Sequence, residues 1–276
     1  MKKAPTCAVI IVTHNSESYL PICLRALHEQ TVKLNQIIVI DSGSSDMNYL
    51  FTEYNIFLNI QKSNVGFCKG NNIGYSYINP GTDYILFLNP DAFLSKDFIE
   101  RAMDKMEEPS SANVGALSGQ LLGYDIARHA PTGLVDTTGI FSTWYGRWYD
   151  RGQGKPNGHY TDDESIPALC GALMFCRKKA LDSILLGNDE VMDPEFFMYK
   201  EDIDLSLRLR KKGWKLLFCP ALTSYHCRGW QHDRSKVPLH LRLLSAKNEM
   251  RLYRRMKSPK YFYSLFKYTL VKCFNI

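Results

Sequence analysis

Short apolar, β-branched runs alternate with amphipathic stretches through the first half of the chain. Residues 8–13 (Ala-Val-Ile-Ile-Val-Thr), 36–40 (Gln-Ile-Ile-Val-Ile) and 84–88 (Tyr-Ile-Leu-Phe-Leu) read as strands buried on both faces, and residues 56–60 as a weaker one. Between them, Leu20, Cys23, Leu24 and Leu27 share one helical face behind a candidate cap at Ser16. Residues 71–78 suit a second helix, and Ser95 opens a third with Phe98, Ile99, Ala102, Met103 and Met106 on one side. Strand and helix alternating at this spacing predict a parallel sheet with crossover helices.

The second half is less regular. Residues 123–166 are rich in Gly, Trp, Tyr, Asp and Thr and read as long loops, while 168–175 and 215–219 read as strands. Residues 201–210 alternate like a strand at Ile203, Leu205, Leu207 and Leu209, yet the same residues stack at helical spacing. Acids at the start, and Arg and Lys before Gly213 at the end, favour a helix there. Towards the end, Leu239, Leu243, Ala246, Met250 and Tyr253 form an apolar stripe on a basic helix.

Composition changes this picture in two ways. With 276 residues, 45% hydrophobic and 22% charged, the chain is an ordinary globular mixture rather than a disordered or fibrous one. No apolar stretch approaches the roughly 20 residues needed to span a bilayer, and the run at 8–12 is too short for the core of a signal peptide. A cytoplasmic address is therefore expected. The eight cysteines include no Cys-x-x-Cys pair and mostly lie in apolar runs, which points to buried free thiols. The net charge of +6 conceals an asymmetry: residues 234–276 hold eleven Lys and Arg against the single acid Glu249. A basic tail suits nucleic acid, an anionic membrane or an anionic substrate alike.

In an open parallel sheet, ligands bind beyond the carboxyl ends of the strands. Polar clusters stand at three such ends: Thr13, His14 and Asn15 with Glu17; Asp41 and Ser42 in the Asp-Ser-Gly-Ser-Ser-Asp turn at 41–46; and Asn-Pro-Asp at 89–91. Neither a Gly-x-Gly-x-x-Gly fingerprint nor a phosphate loop is present, which excludes ordinary NAD enzymes and P-loop ATPases. Asp91 offers oxygen to a hard divalent cation, and Glu201 and Asp202 are candidate general bases. Each feature also has a plain structural reading: a turn, a first-turn acid, a lone histidine at 226.

Taken in order, the pieces resemble the inverting family 2 glycosyltransferases of the GT-A fold, especially the bacterial rhamnosyltransferase-like branch. They are the segments at 9–15, 38–46, 64–67, 70–74 and 87–91, then Gly171 and Ala172, the stretch 196–205 with Arg208, and Gly213, Trp214, Pro220 and His226. The resemblance covers roughly residues 7–232. It implies an α/β catalytic domain over 1–232, with a mostly parallel central sheet flanked by helices. Within it, 1–122 would form the nucleotide-binding half and 123–232 the acceptor and catalytic half, with 233–276 as a basic helical extension.

The resemblance also implies roles. Thr13, Asn15, Glu17, Asp41 and Ser42 would line the nucleoside pocket, closed by Asn64, Gly66 and Asn71, with Asn89 and Asp91 toward the diphosphate. Asp91, joined by His226, would hold Mg²⁺ or Mn²⁺, although Asn89 replaces the first acid of the family's usual Asp-x-Asp. Asp202 matches the catalytic base, and Gly171, Ala172, Glu201 and Trp230 would face the acceptor. The implied reaction moves a sugar, first of all rhamnose from dTDP-rhamnose, onto a lipid-linked or surface-glycan acceptor, with UDP sugars as the alternative donors. The tail would touch the anionic inner face of the membrane rather than nucleic acid. The contrasting expectation is a non-catalytic binder of polyanions or membranes, indifferent to Asp202.

Overall fold

The computed structural model describes residues 4–227 and 237–274. The first half builds β1 (Cys7–Thr13), α1 (Leu20–His28), β2 (Gln36–Asp41), β3 (Phe57–Ile60), α2 (Gly66–Ser76), β4 (Tyr84–Leu88), β5 (Ala92–Leu94) and α3 (Phe98–Glu107). The second half adds β6 (Val114–Asp125), β7 (Ala130–Thr137), β8 (Ile140–Ser142), β9 (Trp148–Asp150), β10 (Glu164–Ser165), β11 (Leu173–Arg177), α4 (Lys178–Asp182), α5 (Glu201–Lys211), β12 (Lys215–His226), α6 (Leu239–Arg255) and α7 (Tyr261–Phe274).

The main sheet runs β10-β12-β6-β11-β4-β1-β2-β3, with β5 paired to β12 and β7 to β6. Its β4-β1-β2-β3 half is parallel, as the apolar runs predict, and every residue of β1 is buried. β12 is parallel to β6, whereas β11 runs antiparallel to both β4 and β6. Helix α2 lies so close to β1 that a Cβ on Gly70 would meet Val12 Cγ1 at 2.6 Å, and one on Gly74 would meet Ile10 Cγ2 at 2.5 Å.

Several local expectations are corrected. Ser16 does not cap α1, which begins at Leu20 after Tyr19; its hydroxyl bonds the carbonyl of His14 instead. Helix α2 starts five residues before the expected 71, and α3 follows Asp97 rather than Ser95. The 123–166 segment is not all loop: β6 reaches Asp125, β7 pairs back on it, and β8 and β9 form a small hairpin. The expected strand at 168–175 begins only at Leu173. Seven cysteines are buried and Cys273 is exposed. Burial pushes the Cys219 and Cys227 thiols up to about 12, so they stay protonated.

The tail is docked rather than trailing. On α6 the buried face carries Arg242, Ala246, Asn248, Glu249, Leu252 and Tyr253, three of them polar; of the expected apolar stripe only Ala246 and Tyr253 are buried, Leu243 and Met250 are half-buried, and Leu239 is exposed. Among the described residues, no helix is long and apolar enough to cross a membrane.

Candidate functional site

Parallel strands β1, β2 and β4 release the chain at one edge of the sheet, and the polar turns stand there. At the end of β2, Asp41 is fully buried and accepts from the backbone N–H of Gly43 (3.1 Å) and Ser44 (3.0 Å) and from the Ser44 hydroxyl. Ser42 donates its backbone N–H to Thr13 O (2.8 Å) and its hydroxyl to Asn64 Oδ1 (3.1 Å), while Asn64 Oδ1 also accepts Gly66 N–H (2.9 Å). Asn15, at φ 49°, receives Ser45 N–H on its side-chain oxygen (2.8 Å). Tyr49, which the sequence did not single out, ties this cluster together. Its hydroxyl lies 3.1 Å from Thr13 Oγ1 and 2.9 Å from Ser44 Oγ. Asn71 turns its amide onto Phe67 O of its own helix (2.9 Å), and Glu17 is exposed.

The turn after β4 brings the second group. Asn89 N–H bonds Ala172 O (2.9 Å), and the neighbouring Gly171 N–H donates to Asp202 Oδ2 (3.0 Å). Residues 171 and 172 thereby connect the Asn-Pro-Asp turn to the start of α5. Ile203 N–H donates to the other Asp202 oxygen (2.8 Å). Burial raises the Asp202 pKa above the usual carboxylate range, opposed by Lys200 and these two N–H donors. Glu201 is raised as well, by burial and then by the charge of Asp202 beside it. Its buried Oε2 has no hydrogen-bond partner among the described residues.

Strand pairing places the third group. β5 is antiparallel to β12 with Ala92 opposite His226, which sets Asp91 beside the imidazole: Asp91 Oδ1 lies 3.3 Å from His226 Nε2. Asp136, near the end of β7, takes the other ring nitrogen at 2.9 Å. Burial works against a charged imidazole here, but the Asp136 and Asp91 hydrogen bonds outweigh it and lift His226 to about 9. Sequence offered no signal for Asp136, whose partner is 90 positions away.

Among the described residues, no group of three His, Cys, Asp or Glu side chains is placed to hold a metal ion. Asp91 and His226 nevertheless fit a cation that a diphosphate also binds. They present one oxygen and one nitrogen donor side by side, and Asp136 on the far ring nitrogen is the carboxylate partner that orients a ligating histidine.

A cleft of about 720 Å³ joins Asn89, Gly171, Ala172, Glu201, Asp202 and His226. Its walls add Phe67, the Trp148–Asp150 strand, and Leu241, Arg242, Ser245 and Lys267 from α6 and α7. Thr13, Asn15, Glu17, Asp41, Ser42, Asn64, Gly66, Asn71 and Asp91 are not in its lining; of these, Thr13, Asn15, Asp41, Ser42, Asn64 and Gly66 are joined by hydrogen bonds in a separate strand-end cluster, which neither Glu17 nor Asn71 is seen to join. Trp230 lies outside the described residues.

Solved structures share this architecture. GalNAc-T7 with UDP, GalNAc and Mn²⁺ superposes with a TM-score of 0.66 at 17% identity, over 92% of this chain and 48% of that one. The Pyrobaculum calidifontis mannosyltransferase PcManGT with GDP-Man and Mn²⁺ does so at 0.60 and 14% identity, over 99% and 72%. A mixed sheet, parallel over β4-β1-β2-β3 and flanked by helices, is the architecture of the GT-A fold. The Glycosyl transferase family 2 model matches residues 8–185, and the chain belongs to that family of enzymes. Among curated relatives, the rhamnosyltransferase WbbL of Escherichia coli (strain K12) is 27% identical over 226 residues, 79% of this chain and 82% of that protein. The hexosyltransferase Agl10 of Haloferax volcanii, of low-salt glycan biosynthesis, is 24% identical over 79% and 66%.

Proposed function

We propose that the protein transfers rhamnose from dTDP-rhamnose, with inversion, to a hydroxyl of a lipid-linked or surface glycan. One observation carries the catalytic part: Asp202 lines the same cleft as Asn89 and His226, held by backbone N–H groups on both oxygens. In this reading the strand-end cluster of Thr13, Asn15, Glu17, Asp41 and Ser42, closed by Asn64, Gly66 and Asn71, receives the nucleoside. Asp41 shapes the turn while the turn itself meets the base. The choice of rhamnose leans on the likeness to WbbL.

Asp202 takes the proton of the acceptor hydroxyl as its oxygen forms the new bond to the anomeric carbon. The bond from that carbon to the diphosphate oxygen breaks on the opposite face, so the configuration inverts. A divalent cation held by Asp91 and His226 would neutralise the charge that the departing diphosphate gathers. Gly171 N–H fixes the direction of the Asp202 carboxylate. Glu201 and Ala172 flank it toward the acceptor, and the Trp148–Asp150 strand also lines the cleft. A single carboxylate suffices because the leaving group needs charge rather than a proton; hydrolytic glycosidases generally use two.

A membrane partner is supported by α7 rather than α6. Phe262 (73%), Phe266 (63%) and Phe274 (66%) are exposed on α7, and Trp144 (89%) is the most exposed large hydrophobic side chain among the described residues. Tyr145, next to Trp144, meets Tyr263 with ring centroids 5.2 Å apart, so the β8–β9 turn and α7 form one aromatic ridge. Lys257 and Lys272 are exposed and Lys260 half-buried along the same segment, with no acid from 250 to 276, whereas Lys267 turns inward to Glu249. Aromatic side chains among lysines suit the anionic headgroup region on the inner face of a membrane.

The deciding experiment is a thermal-shift screen of nucleoside diphosphates and nucleotide sugars, with and without Mn²⁺, followed by transfer assays on Asp202→Asn. Ligands that bind the native fold raise its melting temperature. A Mn²⁺-dependent shift selective for dTDP and dTDP-rhamnose is expected, with Asp202→Asn keeping the shift and losing transfer. Selectivity for UDP species would replace rhamnose as the sugar, and turnover retained by Asp202→Asn would remove it as the base.

A further inference from the structure

Immediately ahead of Glu201 and Asp202 the backbone is strained. Phe197 (φ 61°), Tyr199 (φ 70°) and Lys200 (φ 73°) all occupy the left-handed region without being glycine. L-residues stay there only when their surroundings over-determine the conformation, and such strain gathers at functional sites.

Two helices hold this segment from opposite sides. On one side, α2 donates Cys68 N–H to Phe197 O (3.1 Å), and the Phe197 ring fills the space that a Cβ on Gly66 would take. Asn72 also exchanges two 2.8 Å hydrogen bonds with the backbone of Met192. On the other side stands Asn248 of α6, fully buried. The two N–H groups of its side-chain amide are shared among three loop carbonyls: Phe196 (2.7 Å), Met198 (2.8 Å) and Tyr199 (3.0 Å).

The orientation of that amide is itself fixed. Asn248 Oδ1 accepts from Arg251 (3.0 Å), so the nitrogen must face the loop. Arg251, nearly one turn on, also bonds Glu195 O (2.6 Å) and the Glu195 carboxylate (3.0 Å). Arg255, a further turn on, pairs with Asp193 and with Asp204 (2.8 Å), which lies two residues after Asp202. One face of α6 thus grips the loop before the carboxylates and the helix after them. Without that side chain the Met198 and Tyr199 carbonyls would lose this donor, while Phe196 O would keep the Met198 N–H (2.6 Å), and a buried polar group without a partner is costly.

We infer that Asn248 is a positioning residue for catalysis: it holds residues 196–199 in the backbone arrangement that delivers Asp202 to the cleft. Helix α6 is then a working part of the site rather than an appendage. The inference rests on Asp202 being the base proposed above.

The test uses the full 276-residue chain with Asn248→Asp, which keeps the shape but removes the donor, and Asn248→Ala. Two readouts are taken, only one of which requires activity. Turnover at saturating donor and acceptor is expected to fall about 100-fold, as small displacements of a reacting group do, while acceptor KM changes less than about threefold. Trypsin is expected to cut after Lys200 at least about tenfold faster than in the parent, as opening of a released loop dictates. A folded Asn248→Asp protein with turnover within about threefold of the parent would overturn the inference, as would unchanged cleavage after Lys200. Loss of turnover that merely tracks loss of nucleoside-diphosphate binding sites would overturn it too. Should both variants fail to fold, Arg251→Ala, which frees the amide to turn, carries the same pair of measurements, with unchanged values refuting the inference. A parent chain that transfers no sugar would sink the Asp202 assignment, and the cleavage readout would still decide whether Asn248 holds the loop.

Discussion

Adjacent carboxyls at 201 and 202 receive different surroundings from the same helix start. Asp202 has a backbone donor on each oxygen, while Glu201 is buried with one oxygen unpartnered beside a like charge. Burial and Asp202 lift Glu201 from 4.5 to about 8. The folded protein therefore keeps this proton over a range in which the unfolded chain has released it. Its contribution to stability is complete below pH 4.5, declines as pH rises, and is gone above about 8. Glu201→Gln stays neutral throughout, so its melting temperature relative to the parent should climb between pH 4.5 and about 8. Calorimetry at the two ends of that range checks this, and a constant difference would contradict it. Both carboxyls were legible in the sequence because acids in a first helical turn stand out against the apolar positions that follow. Asp136 and Tyr49 were not, since their partners His226 and Thr13 are reached only across the sheet.

Strands buried on both faces are apolar along their interior, with polar residues only at ends such as Gln36, Asp41 and Thr13, so β1, β2 and β4 were readable almost to the residue. Helix α2 was harder: Gly66, Gly70, Asn71, Asn72 and Gly74 are poor helix formers, and its start was placed too late. What makes it a helix is contact, because the glycine face lets it lie directly on Val12 and Ile10 of β1. Gly70→Ala tests this. Ala favours an isolated helix by up to about 1 kcal/mol, but its methyl would enter the stiff Val12 side chain at 2.6 Å. Overpacking of about 1–3 kcal/mol should win, giving a net loss of stability in denaturant unfolding. A stabilised variant would show that α2 can move off β1. The 123–166 stretch went unread for the opposite reason. Its strands are partly exposed, β7 mixing Gly, Pro and Thr over eight residues and β8 and β9 being only three residues each, and they are held by hairpin pairing instead of a continuous apolar face.

For the molecule as a whole, the basic tail divides into two roles. Helix α6 turns polar side chains inward to grip the 193–199 loop, and α7 turns aromatic ones outward beside Trp144. The parent should sediment with vesicles containing phosphatidylglycerol and remain in solution with pure phosphatidylcholine, with binding weakened by salt. Phe262→Ser with Phe266→Ser should reduce that binding at least about tenfold, given the apolar surface removed. Equal sedimentation of parent and double variant would take α7 out of the interface. The order of motifs along the chain was enough to name the family and the parallel core and to point to the two acids that open α5, because buried strands and strand-end turns impose local residue choices. The pairings of His226 with Asp136, of Asn248 with the loop, and of α7 with the β8–β9 turn were decided only in three dimensions. Each joins polar or aromatic groups that have no periodicity of their own, and what selects them is the need to satisfy a buried polar group or to complete a surface that another element has begun.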